Sequence, residues 1–242
     1  MLTVHTIGDV YPGESVVHCF PGAVVDHAGV AFVHGAGSSA TYVLDAYGRQ
    51  AQKTARIGSA YPAVAGDNGG TQTWGNDTAM TRLGGYLAAL AARPDASDDY
   101  ALIGDSMGGI VSLNYAAQAT RKPKAIVLTI PVMNPEDIRA NNRSGYAALL
   151  NAAYGGTYNE ATLGATKNPH TMRAAAKLKG IPMLIFYGAK DTLCLPQFAE
   201  EFAAADPAFR TAISMPYGHE EAAYAATDHE RMLTFLRTHL GT

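Results

Sequence analysis

The amino-acid sequence predicts an α/β protein, in which a mainly parallel β-sheet is flanked by helices. Three observations support this fold class. Short runs rich in β-branched residues alternate along the chain with Ala-rich stretches of helical pattern. Val30–Val33 is apolar throughout, as a strand buried on both faces of a parallel sheet should be. The length of 242 residues and the hydrophobic content of 48% suit one large domain, which we expect to span residues 1–242.

The N-terminal half of the chain alternates strand-like and helix-like segments. Four segments are predicted to be strands: Leu2–Ile7, Val16–Phe20, Val30–Val33 and Ile57–Val64. Two segments are predicted to be helices: from Ser38 or Ser39 toward Thr54, and from Asn76 or Asp77 to Arg93. The side-chain oxygens at both starts are suited to cap a first turn, and Pro94 stops the second helix.

The C-terminal half continues this alternation, with one exception. Its predicted strands are Tyr100–Ile103, Ala125–Ile130, Ile181–Tyr187 and Arg210–Met215. Its predicted helices are Ile110–Thr120, Pro196–Ala204 and Glu220–His239. The exception is Asn134–Lys179, which has helical patches, several Asn and Gly residues and no clear strand. We expect this segment, residues 134–179, to be an inserted cap of about four short helices.

Composition and charge exclude several classes of function. The formal net charge is −3 and no run of Lys or Arg stands out, so we expect neither nucleic acid nor an anionic membrane as a partner. Cys19 and Cys194 are too few for a disulfide framework and lack zinc-site spacing, and no metal or organic cofactor is implied. The apolar runs are too short to span a bilayer. Met1–Ser15 lacks the pattern of a signal peptide, so a cytoplasmic location is expected.

One glycine-rich segment, Gly104-Asp105-Ser106-Met107-Gly108-Gly109, follows a predicted strand and precedes a helix-like stretch. The pattern G-x-S-x-G at such a junction is typical of a nucleophile elbow, a sharp turn that presents a serine hydroxyl. Glycines flank the serine because side chains there would clash with neighbouring backbone. This context favours Ser106 as a catalytic nucleophile over a serine that merely caps a turn.

A serine hydroxyl is a poor nucleophile at neutral pH and needs a general base. His219 stands just after the last predicted strand and before the last predicted helix. A loop at that edge of the sheet brings an imidazole over Ser106, so His219 is our candidate base. His170, in the predicted cap, is the alternative, whereas His229 and His239 lie within the predicted terminal helix.

The imidazole in turn needs an acid that sets its tautomer and stabilises its charged form. Asp191 ends a Gly-Ala-Lys-Asp turn directly after the strand Ile181–Tyr187, at the same edge of the sheet as Ser106. A helix N-cap is the structural alternative for this residue. Glu136 and Asp137, which follow the preceding strand, are the fallback acids.

A tetrahedral intermediate needs two preorganised N–H donors. The expected donors are the backbone amides of Met107, the residue after the nucleophile, and of Ala36, in the turn after Val30–Val33. Gly37 in the same turn and Trp74 in a Gly-rich loop are the candidate substrate-binding residues. For Trp74, anchoring its loop on the core is an equally weighted alternative.

Asp105 places a carboxylate directly before the candidate nucleophile. It either tunes the basicity of His219 or holds the elbow through hydrogen bonds. The second role is favoured, because buried carboxylates are usually hydrogen-bonded.

Four segments, HGAGSS, GDSMGG, LIFYGAKDT and PYGHEE, together resemble the α/β-hydrolase superfamily in order and spacing. The resemblance covers nearly the whole chain apart from 134–179, and is to small carboxylesterases, lipases and thioesterases of bacteria and their phages. It implies a catalytic triad in the order Ser106, Asp191, His219. Relatives with an Asp or Cys nucleophile, such as epoxide hydrolases and dienelactone hydrolases, are disfavoured by Ser106. The interruption of His-Gly-Gly-Gly by Ala36 disfavours bulky tertiary-alcohol esters.

The sequence therefore predicts a serine hydrolase that cleaves carboxylic esters through an acyl-enzyme intermediate. A small-molecule or lipid ester is the expected substrate. Alternatives on the same triad are a thioesterase, a peptidase, an acyltransferase and a cell-envelope lipid esterase. A non-catalytic ligand-binding protein of the same fold is the alternative from another class. The physiological substrate and the oligomeric state do not follow from the sequence.

Overall fold

The computed structural model describes residues 3–6, 10–11, 16–20, 27–44, 50–94 and 96–241, with the backbone alone for 3–6 and 18–20. The strands found within these ranges are β1 (Thr3–Thr6), β2 (Val16–Phe20), β3 (His27–Val33), β4 (Ala63–Gly66), β5 (Ala96–Asp105), β6 (Ala125–Thr129), β7 (Met183–Gly188) and β8 (Arg210–Met215). They form one sheet in the order β1-β2-β4-β3-β5-β6-β7-β8.

The sheet is mainly parallel, as predicted. The strand β2 runs antiparallel to both β1 and β4, whereas every pairing from β4 through β3 to β8 is parallel. Near the ends of the central strands, Asp105 pairs with Thr129, and Thr129 pairs with Phe186. The carboxyl ends of β5, β6 and β7 therefore open at one edge of the sheet, where the loops that follow them can meet.

Helices cover both faces of the sheet. In the described part of the chain they are α1 (Gln50–Gly58), α2 (Asp77–Ala91), α3 (Met107–Gln118), α4 (Pro135–Ala140), α5 (Ala147–Ala153), α6 (Glu160–Lys167), α7 (Pro169–Met172), α8 (Pro196–Ala204), α9 (Glu221–Ala226) and α10 (His229–Leu240). Along β5, Leu102 joins the core formed with α2, α3 and α8, and Ile103 joins the core formed with α1 and α10. Because successive strand side chains point to opposite faces, each central strand contributes to both cores.

The predicted strand Ile57–Val64 is wrong. Its first two residues belong to α1, and the strand at this place is β4, which begins at Ala63. The buried residues of α1 are spaced as one helical face: Gln50, Lys53, Thr54, Ile57 and Gly58. The apolar Ile57 is therefore the end of a helix face, and Tyr61-Pro62 separates that helix from the strand.

Two predicted helices also differ from the structure. The helix from Ser38 or Ser39 toward Thr54 is a short 3₁₀ turn, Ala40–Leu44, followed by α1; residues 45–49 lie outside the described residues. The predicted helix Glu220–His239 is two helices, α9 and α10. It is divided because the side chain of Asp228 accepts a hydrogen bond from the amide of Arg231, at 2.9 Å, and so caps a new helix.

Several other bounds agree with the sequence. Val16–Phe20, Pro196–Ala204 and Arg210–Met215 have the predicted limits. The strand predicted at Tyr100–Ile103 is longer in the structure, because β5 spans Ala96–Asp105. Of the first predicted strand, the end residues Leu2 and Ile7 lie outside the described residues.

Between β6 and β7 the chain forms α4 to α7 and two 3₁₀ turns, Arg143–Gly145 and Ala176–Leu178. Its first part joins a third apolar cluster at the carboxyl edge of the sheet, where Ile138 and Leu150 lie with Trp74 and Met107. Its second part, α6 and α7, packs beside α3 instead. Of the helices in the described ranges, none combines the length and apolar character needed to cross a membrane.

Candidate active site

Ser106 lies at a sharp turn between β5 and α3. Its φ of 51° lies in the left-handed region that L-residues rarely adopt. Three backbone hydrogen bonds hold this strained conformation: the Ser106 amide donates to the carbonyl of Thr129 at 3.0 Å, and the Ser106 carbonyl accepts from Gly109 and Val132, each at 2.9 Å. Since the surrounding backbone determines the conformation, the hydroxyl is held in a fixed position above the sheet.

The glycines of the elbow are required by close backbone approach. A Cβ at Gly108 would lie 2.0 Å from the carbonyl oxygen of Val33, and a Cβ at Gly104 would lie 2.5 Å from the carbonyl oxygen of Gly108. Both distances are far shorter than any contact between a carbon and an oxygen that are not bonded to each other. The G-x-S-x-G pattern thus packs α3 tightly against β3 and β5 directly beneath Ser106.

The structure brings Ser106, His219 and Asp191 into one hydrogen-bonded chain. Ser106 Oγ lies 2.8 Å from His219 Nε2, and His219 Nδ1 lies 2.8 Å from Asp191 Oδ2. The other carboxylate oxygen, Asp191 Oδ1, accepts from the backbone amides of Leu193 at 2.9 Å and Cys194 at 2.8 Å. The Asp191 side chain is fully buried and the His219 side chain is 18% exposed. The imidazole is therefore oriented from a rigid interior toward a hydroxyl that a ligand can reach.

The loops after β7 and β8 are tied to each other, which sets this geometry. The amide of Ala189 donates to the carbonyl of Met215 at 2.7 Å, and the amide of Lys190 donates to the carbonyl of Tyr217 at 2.9 Å. A Cβ at Gly188 would lie 2.6 Å from the same Tyr217 oxygen. The two loops consequently hold Asp191 and His219 at hydrogen-bonding distance.

The alternative base and acids have other partners in the structure. His170 Nε2 lies 2.6 Å from a carboxylate oxygen of Glu201, on α8. Glu136 accepts two hydrogen bonds from Arg139, at 2.6 and 2.7 Å, and Asp137 is bound by Arg143. None of these groups joins the hydrogen-bonded chain at Ser106.

The candidate oxyanion donors lie on either side of Ser106. Met107 is the first residue of α3, so its amide lies at the positive end of the helix dipole. Ala36 lies in the turn after β3, where a Cβ on the preceding Gly35 would lie 3.3 Å from Ser106 Cβ. The next amide, Gly37, donates to the carbonyl of Thr71 at 2.8 Å, so that bond holds the turn in place.

Trp74 forms one wall of a small cavity above Ser106. This cavity, the Trp74 cavity, has a volume of about 160 Å³, and its lining residues are Gly35, Ala36, Trp74, Ser106, Tyr146, Leu193, His219 and Tyr224.

 The Trp74 ring is 1% exposed and meets the ring of Tyr146 edge-on at 5.2 Å. Trp74 therefore both anchors its loop and borders the site. Gly37, the other candidate substrate-binding residue, is exposed. It lines neither the Trp74 cavity nor the larger cavity next to it.

A second and larger cavity, the Asp105 cavity, has a volume of about 340 Å³. Its lining residues are Gly35, Ala36, Ser38, Tyr42, Gln50, Asp105, His219, Glu220, Glu221 and Tyr224. Asp105 is buried and its Oδ2 accepts from Lys53 Nζ at 2.5 Å. The hydrogen bond described for Asp105 thus runs to α1 and not to His219.

Sequence reasoning missed several residues of these walls. Lys53 reaches Asp105 from the buried face of α1, and Tyr146 reaches Trp74 from the segment between β6 and β7. Tyr42 and Tyr224 line the larger cavity. A lysine on the apolar face of a helix was a usable signal for Lys53, because a buried ammonium needs a carboxylate partner.

Cys194 lies beside the hydrogen-bonded chain but keeps its proton. Burial, and then the nearby carboxylates of Asp191 and Asp137, raise the pKa of its thiol well above the usual value. The ligating atoms of Asp191, Cys194 and His219 lie within 4.8 Å of one another. Because a thiol must lose its proton to act as a nucleophile or a strong metal ligand, this environment favours neither role for Cys194.

No protein-family model and no curated protein sequence matches the chain. Solved structures do match it. The esterase Pf2001 of Pyrococcus furiosus aligns with 100% of this chain and 92% of its own, with a TM-score of 0.71 and 17% identity. An S-formylglutathione hydrolase from Agrobacterium tumefaciens aligns with 99% of this chain and 95% of its own, with a TM-score of 0.72 and 14% identity. A puromycin hydrolase aligns with 98% of this chain and 39% of its own, with a TM-score of 0.77 and 15% identity.

These likenesses show the fold. The alignments with these solved hydrolases cover nearly the whole chain, and the chain itself forms a mainly parallel sheet flanked by helices. The protein therefore has the α/β-hydrolase fold, as the sequence predicts.

Proposed function

We propose that this protein of the α/β-hydrolase fold is a serine hydrolase that cleaves carboxylic esters through an acyl-enzyme on Ser106. The observation that carries the proposal is the chain of two 2.8 Å hydrogen bonds from Ser106 through His219 to Asp191, at a strained elbow. A nucleophile, a base within hydrogen-bond reach and a third group that orients the base are the parts that acyl transfer to serine requires.

The reaction begins when Ser106 Oγ attacks the ester carbonyl carbon. His219 Nε2 takes the hydroxyl proton, and Asp191 stabilises the imidazolium through Nδ1–H. The tetrahedral intermediate collapses as His219 returns this proton to the alcohol oxygen, which leaves as a neutral alcohol. Water then attacks the acyl-enzyme with the same histidine as base, which releases the acid and restores the Ser106 hydroxyl.

The negative oxygen of each tetrahedral intermediate needs fixed donors. We assign the backbone amides of Met107 and Ala36 to this role. Met107 is supported by its place at the first turn of α3, and Ala36 by its place in both cavities beside His219. Backbone donors at such a site need little reorganisation as charge develops on the oxygen.

The Trp74 cavity is the proposed acyl site. It includes Ser106, to which the acyl group stays bonded, and its side walls are the apolar residues Trp74, Tyr146 and Leu193. A volume of about 160 Å³ suits a small or medium acyl chain. We propose that the first part of segment 134–179, which supplies Tyr146, forms the cap over this cavity and limits the acyl length.

Covalent labelling tests this proposal directly. A fluorophosphonate probe should label the wild-type protein, and Ser106→Ala should lose the label while keeping its fold by circular dichroism. Ser39→Ala is the matched control, because Ser39 bonds Thr41 and lies outside the hydrogen-bonded chain. Labelling that survives in Ser106→Ala would contradict the proposal, and so would a wild-type protein that takes no label, as expected of a ligand-binding protein.

A substrate panel separates esters from other acyl compounds. Chromogenic esters of increasing acyl length are compared with a thioester and a peptide amide at equal acyl group. We expect the ester to have the highest kcat/KM and the rate to fall beyond medium acyl length. A preference for the thioester or the amide would keep the triad chemistry and change the substrate class.

A further inference from the structure

Among the described residues, three cavities border His219, and only the Trp74 cavity and the Asp105 cavity also contain the Gly35–Ala36 turn in their walls. These two share four lining residues, Gly35, Ala36, His219 and Tyr224, so they meet beside the proposed base, and they differ in chemistry. The Trp74 cavity adds apolar side chains. The larger Asp105 cavity adds polar ones: Ser38, Tyr42, Gln50, Asp105, Glu220 and Glu221. An ester whose acyl group occupies the first cavity would therefore place its alcohol in the second.

Two buried polar atoms on residues that line the Asp105 cavity have no hydrogen-bond partner within 3.5 Å among the described residues, although their two side chains interact with each other at longer range. They are Asp105 Oδ1, on a residue 2% exposed, and Tyr42 Oη. Such unpartnered atoms are uncommon in folded proteins, because a buried polar group is normally compensated. Both residues line the Asp105 cavity, so a ligand in this cavity meets the two side chains that carry these atoms.

These two atoms complement a hydroxyl group. Burial, and then the charge of Asp105 and the interaction of the phenol with that carboxylate, raise the pKa of Tyr42 well above its usual value, so its phenol keeps its proton and can donate. The Asp105 carboxylate can only accept. A ligand hydroxyl can donate to Asp105 Oδ1 and accept from Tyr42 Oη at the same time.

The charges around the cavity disfavour ionic ligands. Lys53 Nζ lies 2.5 Å from Asp105 Oδ2, so the negative charge of the carboxylate is already balanced by the ammonium group. A second cation in the cavity would be repelled by that ammonium group. An anion would meet Glu220 and Glu221 in the same wall. The uncharged hydroxyl is the ligand group that remains.

We infer that the Asp105 cavity binds the alcohol half of the ester and selects an uncharged leaving group that carries a further hydroxyl, as a glycerol or sugar monoester does. This inference rests on the proposed ester hydrolysis. It adds Asp105 and Tyr42 as residues that determine specificity for the leaving group.

The test compares two esters with the same acyl group and a three-carbon alcohol. Glyceryl monobutyrate carries the additional hydroxyls, and propyl butyrate does not. We expect wild-type kcat/KM to favour the glyceryl ester by about tenfold, the effect of one or two net hydrogen bonds. Turnover of propyl butyrate alone tests the proposed function, so a ratio near one with both esters cleaved would overturn only this inference.

A matched pair of variants locates the effect. Tyr42→Phe and Tyr146→Phe each remove a phenolic hydroxyl, the first from a residue of the Asp105 cavity and the second from a residue of the Trp74 cavity. Tyr42→Phe should lower the glyceryl-to-propyl ratio by about fivefold or more, and Tyr146→Phe should leave the ratio unchanged. Because Tyr42 Oη makes no described hydrogen bond, its loss should leave the melting temperature unchanged.

Two results would overturn the inference at this stage. One is an unchanged ratio in Tyr42→Phe, and the other is an equal fall of the ratio in both variants. Butyrylcholine, a cationic ester without a free hydroxyl, is the third substrate. It should be slower than the glyceryl ester, and the reverse order would show that the cavity selects positive charge.

Discussion

Two buried carboxylates, Asp105 and Asp191, lie close to the nucleophile, and their surroundings differ. Each residue is 2% exposed. Asp191 accepts three hydrogen bonds, two from backbone amides and one from His219. Asp105 accepts one, from Lys53, and its second oxygen has no partner among the described residues. Burial is equal at the two sites, so the partners distinguish their roles.

The comparison separates two roles. Asp191 is placed to orient the imidazole of His219, whereas Asp105 has its charge compensated by Lys53. The amides that hold Asp191 come from its own loop, so this carboxylate is fixed locally and its remaining oxygen is directed at the imidazole. Asp105 depends on a side chain from α1, 52 residues away in the sequence. We therefore expect changes at Asp191 to affect catalysis most, and changes at Lys53 to affect stability most.

The largest effect should follow from Asp191→Asn. An amide at this position can present an N–H to His219 Nδ1, which favours the wrong tautomer for accepting the Ser106 proton. We expect kcat to fall by about 10⁴ with the fold retained. Steady-state kinetics on a short-chain ester and circular dichroism measure the two outcomes.

Glu136→Gln and Asp137→Asn are the controls for this variant. Both side chains are paired with arginines, Arg139 and Arg143, and neither contacts His219 in the described hydrogen bonds. Their kcat should stay near that of the wild type. A large loss in either control, together with an active Asp191→Asn, would move the acid to α4.

The next effect should be the loss of stability in Lys53→Met. This change leaves a buried carboxylate at Asp105 without its counterion, which typically lowers the free energy of unfolding by about 3–5 kcal/mol. Denaturant unfolding measures it. Arg121→Met removes a cation from the exposed carboxylates of Asp98 and Asp99, and should leave the unfolding midpoint unchanged. Equal stability of Lys53→Met and wild type would mean that the Asp105 charge needs no partner.

A smaller effect is expected on the pH dependence of Asp105→Asn. The proposed reaction needs an uncharged imidazole as base, since imidazolium cannot accept the Ser106 proton, so the profile of kcat/KM against pH should have an acid limb. In Asp105→Asn this acid limb should keep its position, because the hydrogen bond of Asp105 runs to Lys53. The measurement is kcat/KM against pH on an uncharged ester. A displaced limb would show that Asp105 tunes the base.

The two carboxylates also show how far the sequence could predict this site. The elbow, His219 and Asp191 each follow a strand directly, so their common position at one sheet edge follows from the strand order. The partner of Asp105 depends on which face of α1 is buried. The sequence pattern predicts a strand over Ile57–Val64 and a helix that ends near Thr54, so it does not identify the buried helix face that contains Lys53.

Two other residues in the walls of the site could not be predicted from the sequence, again because tertiary packing determines their positions. Tyr146 reaches Trp74, and Tyr224 lines both cavities, through tertiary packing of helices whose orientation no local signal specifies. The division of the last helix at Asp228 did have a local signal, the N-cap side chain. The continuous helical pattern on both sides of Asp228 obscured it.

The smallest effect should follow from Cys194→Ala. The thiol lies beside Asp191, but the hydrogen bond to Asp191 Oδ1 comes from the Cys194 backbone amide, which any residue supplies. Burial raises the pKa of this thiol, so little thiolate is present near neutral pH to react. We expect kcat/KM within about threefold of the wild type, and no inactivation of the wild type by iodoacetamide at neutral pH. A loss near that of Asp191→Asn would show that the sulfur, and not the backbone of its loop, holds the carboxylate in place.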